Sequence, residues 1–147
     1  MKILVIGATG TIGKAVAARL SNQHEVIAAG YRDGDVTVDL GNTNSIKAMF
    51  EKTGSVDAII STAGLANFGP LSEQSDADYT LALNNKLMGQ VNLIRIGRDF
   101  VNNNGSITLT SGILSRQPMP GSATISMANG ALESYVKAAA LELENIR

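Results

Sequence analysis

Residues 1–18, MKILVIGATGTIGKAVAA, decide the fold of this chain. An apolar run ends at Gly7, two more glycines follow at Gly10 and Gly13, and apolar residues then recur with helical spacing. The pattern predicts a strand, a tight turn and a helix. Glycine lets backbone approach a ligand closely, and the first turn of a helix offers unpaired N–H groups to a phosphate. The stretch therefore predicts a dinucleotide site, and the alternative is an ordinary strand-to-helix turn.

Length and composition indicate one globular domain, residues 1–147, in which 44% of residues are hydrophobic and 17% are charged. A net charge of −1 disfavours a nucleic-acid partner. The absence of cysteine excludes thiolate metal sites, and the single His24 cannot supply a metal cluster. The first apolar run is too short for a signal peptide, and no stretch approaches the ~18 apolar residues of a membrane span. We therefore expect a cytoplasmic protein without a metal or a membrane partner.

Strands and helices alternate along the chain. Besides the first strand and helix, strands are predicted at 25–29, 36–38, 56–60 and 106–110, and helices at 42–53, 76–101 and 123–143. Residues 102–105 are predicted to form a turn. Most strands are apolar on both faces, as in a parallel sheet that helices cover.

The helix predicted over 76–101 has more than one apolar face. One face must meet the sheet. The second face either meets another subunit or is buried under a later part of the same domain. The helix over 123–143 is rich in alanine, which allows close packing against the sheet or a partner helix. We expect a homo-oligomer formed through these two long helices.

The order and spacing of these motifs resemble the short-chain dehydrogenase/reductase family across essentially the whole chain. The resemblance is carried by the glycine turn, Asp39-Leu40, the segment 61–64, the strand at 106–111 and Pro120-Gly121. It implies a three-layer, doubly wound Rossmann-type sheet that binds a nicotinamide dinucleotide at the topological switch point. It also implies that the family's C-terminal strand and substrate segment are absent from this chain.

The resemblance assigns cofactor contacts residue by residue. The residues expected to wrap the pyrophosphate are Gly7, Thr9, Gly10, Thr11, Ile12 and Gly13. Asp39 matches the position that contacts the adenine amino group, and Leu40 matches the one that packs on the ring. Ala63 and Gly64 match the backbone beneath the adenine ribose. The alternatives are a turn cap for Asp39 and a close-packed strand end for the other two.

The loop after the second strand distinguishes the two nicotinamide cofactors. An acidic residue there accepts from the ribose 2′-hydroxyl of NAD, whereas an arginine suits the 2′-phosphate of NADP. This loop contains Arg32 and Asp33, and Tyr31 is available to stack on adenine. Because Arg32 comes first after the strand, the sequence favours NADP, with NAD possible. The alternative for Arg32 is a solvated loop charge.

The family's catalytic pattern is broken in this chain. The family uses a Tyr as proton donor, a Lys four residues later, a Ser that orients the substrate carbonyl and an Asn that supports a water relay. Aligned on Pro120-Gly121, the Tyr, Lys and Ser positions hold Ile125, Asn129 and Gly112, and the Asn position, three residues before Gly89, holds Lys86. Isoleucine has no proton to exchange and asparagine has no charge, so reduction by a Tyr-Lys pair is not expected.

Ser111 and Asn129 are therefore the candidate catalytic residues. Ser111 precedes the expected serine position, and Asn129 can still hydrogen-bond the nicotinamide ribose. Thr110, Lys86 and Tyr79 remain open as substitutes. The leading hypothesis is an NADP(H)-binding oxidoreductase that acts on an unknown small molecule. The alternative is a non-catalytic redox sensor or regulatory protein, and an epimerase-like use of the nicotinamide ranks last.

Overall fold

The structure is a computed structural model that describes all residues, 1–147. One parallel sheet has the order β3-β2-β1-β4-β5 and comprises β1 (Lys2–Ile6), β2 (Glu25–Gly30), β3 (Val36–Thr37), β4 (Val56–Ser61) and β5 (Val101–Leu109). The α-helices are α1 (Thr11–Ser21), α2 (Thr43–Thr53), α3 (Asp76–Leu81), α4 (Met88–Gly97) and α5 (Ala123–Ala140). The strand order reverses direction beside β1, so the predicted doubly wound Rossmann-type fold is confirmed.

Both faces of the sheet are covered. On one face, Phe50 of α2 and Leu93 of α4 pack against strand residues such as Ile59. On the other face, Ile3 and Val5 pack against the apolar side of α1. Strands that are apolar on both faces therefore form the middle of three layers, as their sequences predict. None of the helices combines the length and apolar character that a membrane crossing requires.

The helix predicted as one element over 76–101 is interrupted. Between α3 and α4 the backbone forms a π-helical segment, Ala82–Leu87, and a 3₁₀ turn, Arg98–Phe100, follows α4. The prediction of one regular helix is wrong because side-chain spacing does not register the wider turn of a π segment. Most apolar side chains of α4 are buried within this chain, while Leu83 and Met88 stay partly exposed.

The turn predicted at 102–105 lies inside β5. Val101 pairs with Val56 and Ser106 pairs with Ala58, so the four residues between them bulge out of the ladder. Asn104 has a φ of 64°, a left-handed conformation that asparagine tolerates. The strand therefore begins before the predicted residue 106 and ends one residue before 110. At the other end of the chain, α5 ends at Ala140 instead of 143.

Two helical glycines provide a matched test of the packing between α1 and β1. A Cβ at Gly13 would lie 1.9 Å from the Gly7 carbonyl oxygen, whereas a Cβ at Gly130 of α5 would meet nothing within 4 Å. We expect Gly13→Ala to lower the free energy of unfolding by about 3 kcal/mol, because backbone must move to admit the methyl group. Gly130→Ala should raise it by about 0.5–1 kcal/mol. Urea unfolding measures both changes, and equal effects would contradict the packing described.

Candidate functional site

A cleft of about 750 Å³ lies at the carboxyl ends of β1, β2 and β4. This volume is in the range of small-molecule sites, and the position is the switch point of the strand order. Seven of the predicted cofactor residues line the cleft: Gly7, Thr9, Gly10, Asp39, Leu40, Ala63 and Gly64. The opposite wall comes from α3 and the π-helical segment, including Leu81, Asn84 and Asn85. Sequence spacing did not predict this second wall.

The glycine turn fits against the end of β4. Gly7 has a φ of 81°, and a Cβ there would lie 2.9 Å from the Thr62 hydroxyl oxygen. The Thr62 hydroxyl is 3.1 Å from the Ile6 carbonyl oxygen, to which it donates. The Gly10 N–H in turn donates to the Gly7 carbonyl oxygen at 3.0 Å. Only glycine fits at position 7, so the floor of the cleft is bare backbone.

The N-terminus of α1 offers free donors beside this floor. Its first intrahelical hydrogen bond runs from the Lys14 N–H to the Gly10 carbonyl, at 2.9 Å. The N–H groups of Thr11, Ile12 and Gly13 precede that bond and have no acceptor within the helix. Unpaired N–H groups at the positive end of a helix dipole suit a phosphate. The first turn of α1 therefore fits a pyrophosphate.

Asp39 and Leu40 follow β3 along the chain and line the cleft. The Asp39 carboxylate accepts from the Gly41 N–H at 2.8 Å, and the Asp39 N–H donates to Ser45 Oγ at 2.9 Å. The turn-cap role is therefore present, and the second carboxylate oxygen makes no hydrogen bond within the protein. Leu40 is 6% exposed and is packed closely against Gly89 of α4.

The loop after β2 places Tyr31 on the cleft and Arg32 at its rim. Tyr31 is 66% exposed, and the Arg32 guanidinium lies 5.8 Å from the centroid of its ring. That distance is within the range of a cation–π contact. The guanidinium makes no ion pair within the protein, so its donors are available to an anion.

Ser111 is directed away from the cleft. Its hydroxyl donates to Glu133 Oε1 of α5 at 2.7 Å, and the Ser115 hydroxyl donates to the same oxygen at 2.6 Å. Arg116 lies 3.6 Å from the other carboxylate oxygen. These hydrogen bonds, from Ser115 first and then Ser111, hold the pKa of Glu133 below its ordinary value. The sequence carried no signal for this cluster, because a single glutamate on a helix does not reveal its partners.

Asn129 is enclosed between α5 and the end of β5. It is 1% exposed, its side-chain nitrogen lies 3.5 Å from the Gly112 carbonyl oxygen, and its side-chain oxygen has no partner. A Cβ at Gly112 would lie 2.9 Å from the same nitrogen. Ile125, one turn earlier, is 8% exposed. The residues that the resemblance assigns to the family's Tyr, Lys and Ser positions are an aliphatic side chain, a buried amide and a glycine that the amide contacts.

Comparison with known proteins supports the family that the motifs resemble. The family profile described as enoyl-(acyl carrier protein) reductase matches residues 4–147. The chain belongs to the short-chain dehydrogenase/reductase family.

Three known proteins are similar to this chain over nearly its whole length. The crystal structure of a Listeria innocua protein is 49% identical, with a TM-score of 0.97 over 100% of this chain and 74% of its own. A small-chain dehydrogenase in complex with NADPH is 32% identical, with a TM-score of 0.92 over 100% of this chain and 67% of its own. A short-chain dehydrogenase/reductase of Stachybotrys chlorohalonatus is 28% identical over 99% of this chain and 69% of its own length.

The contact between Gly112 and Asn129 can be tested with a double-mutant cycle. We expect Gly112→Ala to lower the free energy of unfolding by about 1–2 kcal/mol, because the buried amide has little room to move. In the background of Asn129→Ala the same substitution should cost at least about 0.5 kcal/mol less, since the clashing atom is gone. Guanidinium unfolding of the four proteins measures the coupling. Strictly additive effects would show that the two residues do not touch.

The Glu133 cluster predicts a pH dependence of stability. Because the folded pKa of Glu133 lies below the ordinary value of 4.5, its hydrogen bonds stabilise the fold above that pH and are lost as the pH falls through the folded pKa. Glu133→Gln should therefore be less stable than the unaltered protein at pH 7, and the difference should narrow below pH 4.5. Unfolding at a series of pH values measures this. Glu142→Gln, at an exposed position, should show no such trend.

Proposed function

We propose that residues 1–147 form a single domain that binds NADP(H) and serves an oxidoreductase acting on an unidentified small molecule. The observation that carries this proposal is the cleft, whose floor is bare glycine backbone that leads directly into the first turn of α1, where the N–H groups have no acceptor within the helix. The NADPH complex of a 32%-identical relative supports the choice of ligand.

Each part of the dinucleotide has a matching part of the cleft. The pyrophosphate would lie on the first turn of α1, and the adenine would lie between Leu40 and the loop of Tyr31. Ala63 and Gly64 would lie beneath the adenine ribose, and the free Asp39 carboxylate oxygen can accept from the adenine amino group. When bound, the reduced nicotinamide supplies a hydride.

Arg32 supports NADP(H) over NAD(H). Its guanidinium has no ion-pair partner and is held beside the ring of Tyr31, which lines the cleft. A 2′-phosphate on the adenine ribose would meet a planar, permanently charged donor group there. Asp33, the next residue, is exposed and is the group that would favour the 2′-hydroxyl of NAD(H) instead.

We also propose that the protein forms a homo-oligomer through the α3–α4 region and α5. Partly exposed apolar side chains on these helices support this arrangement, namely Leu83, Met88 and Met127 at 37–38% exposure. Burial of such side chains by a second copy would remove apolar surface from water.

A non-catalytic, NADP(H)-binding regulatory role is the second candidate function. The observation that favours it is that Ile125 and Asn129, which the resemblance assigns to the family's Tyr and Lys positions, are buried and carry neither a phenol nor an ammonium. Oxidation of NADPH in the presence of a panel of aldehydes and ketones separates the two functions, because a sensor binds the cofactor without turnover.

The proposed cofactor preference is tested by titrating NADPH and NADH against the protein with calorimetry. We expect tighter binding of NADPH, and we expect Arg32→Ala to weaken it about tenfold or more while changing NADH affinity little, since only the 2′-phosphate contact is lost. Arg19→Ala, at the far end of α1, is the matched control and should leave both affinities unchanged. Binding of neither nucleotide would refute the proposed function.

A further inference from the structure

Reduction of a carbonyl requires a proton as well as a hydride, and the family's usual donor position cannot supply one. Ile125 has no exchangeable proton, and Asn129 is enclosed at 1% exposure. The hydroxyl of Ser111 is committed to Glu133, and that of Thr110 to the Ser61 carbonyl. None of these four side chains is therefore free to give a proton to a bound carbonyl.

Lys86 lies in the π-helical segment, between the ends of β4 and β5. On one side, Asn85 accepts from the Leu65 N–H at 2.8 Å, which ties the segment to the loop after β4. On the other side, Gln90 accepts from the Thr110 N–H at 3.2 Å and donates to the Thr110 carbonyl at 3.1 Å. These bonds fix the backbone on both sides of Lys86. Single π turns inside α-helices occur frequently at functional sites.

The stem of Lys86 packs against Gly64, a residue of the cleft. A Cβ at Gly64, which lines the cleft, would lie 3.2 Å from Cγ of Lys86 and 3.4 Å from its Cα. Gly64 also has a φ of 152°, a conformation that side chains rarely adopt. The bare backbone at position 64 therefore gives Lys86 the space to pass beside the cofactor cleft.

The ammonium of Lys86 has no partner within the protein. Its side chain is half-buried, and it makes neither a hydrogen bond nor an ion pair. By contrast, Lys2 donates to the Thr53 carbonyl and Lys52 to the Asp35 carbonyl. Burial lowers the pKa of Lys86, because removal from water disfavours the charged form. A half-buried ammonium without an acceptor is poised to interact with a bound molecule.

The titratable groups on the surrounding elements form no hydrogen bond or ion pair with Lys86. Asp78 of α3 accepts from Ser75 and Asn67, and Glu133 of α5 accepts from Ser111 and Ser115. Arg95 of α4 donates to Asn92. Asp76 and Tyr79 of α3, and Tyr135 and Lys137 of α5, form no hydrogen bond or ion pair with Lys86. No carboxylate therefore neutralises the ammonium.

We propose that Lys86 is the proton donor of this enzyme, with its ammonium in contact with the carbonyl oxygen of the substrate. The proposal rests on the proposed function. As the carbonyl carbon accepts a hydride from the reduced nicotinamide, the C=O π bond breaks and its electron pair forms an O–H bond with the Lys86 proton. The carbonyl is reduced to an alcohol, the nicotinamide is oxidised, and the neutral amine regains a proton from water. Because burial lowers the pKa of Lys86, this pKa lies closer to the working pH, and a general acid is most effective when the two are close.

The test compares Lys86→Met and Lys86→Arg with the unaltered protein, and Lys47→Met serves as an exposed control on α2. NADPH affinity is measured by calorimetry, and single-turnover NADPH oxidation is measured with the aldehyde and ketone panel. We expect NADPH affinity to stay within about threefold in every variant. Turnover should fall about 100-fold or more in both Lys86 variants, because methionine has no proton to give and a guanidinium does not deprotonate. Lys47→Met should turn over normally.

A second readout does not depend on turnover. Amine-reactive labelling at a series of pH values, followed by mass spectrometry, should modify Lys86 at lower pH than it modifies Lys47, and a bound carbonyl substrate should protect Lys86. Wild-type turnover in Lys86→Arg or Lys86→Met with NADPH bound would overturn the assignment of Lys86 alone. Labelling of Lys86 and Lys47 with the same pH midpoint would do so too. Failure of the unaltered protein to bind NADPH would overturn the proposed function together with this inference.

Discussion

The carbonyl oxygen of Gly7 is the point on which the cleft depends. It accepts from the Gly10 N–H at 3.0 Å and from the Thr62 hydroxyl at 3.3 Å, and it excludes any side chain at position 13. One backbone atom thereby joins β1, α1 and the end of β4. Because α1 can approach β1 this closely only without a Cβ at Gly13, the first turn of α1, with its free N–H groups, begins directly beside the glycine backbone of the cleft.

The sequence predicted the features that arise from local apolar spacing, and it missed those that arise from contacts distant along the chain. Strands that are apolar on both faces predicted the parallel sheet, and the glycines predicted the turn. The π-helical segment was not predictable, because its wider turn changes the backbone hydrogen bonds and leaves the hydrophobic pattern intact. The bulge in β5 was mistaken for a turn, because asparagines and a glycine predict irregular backbone without saying whether pairing resumes.

The residues of the candidate site also fall into those that local sequence motifs predicted and those whose surroundings depend on distant contacts. Seven of the residues that the motifs assign to cofactor binding lie at strand ends, and the structure brings these seven to one cleft. Ser111 was selected by its place in the sequence, yet its hydroxyl faces α5, where Glu133 binds it. The partner lies 22 residues further along the chain, so only tertiary structure reveals the pair. Whether a polar residue faces a ligand or the core depends on its packing, which a motif does not encode.

The burial of Asn129 explains why a neutral group suits the position that the resemblance assigns to a lysine. At 1% exposure, an ammonium at this position would need acceptors to offset its desolvation, and the contact that the Asn129 side-chain nitrogen makes is with the Gly112 carbonyl oxygen, at 3.5 Å. A neutral amide is tolerated there at the smaller cost of one unpaired oxygen. The cation of this region instead stands at Lys86, where half-burial leaves partial hydration. A neutral amide at the enclosed position and an ammonium at the half-buried one therefore each lie where the cost of their desolvation is tolerated.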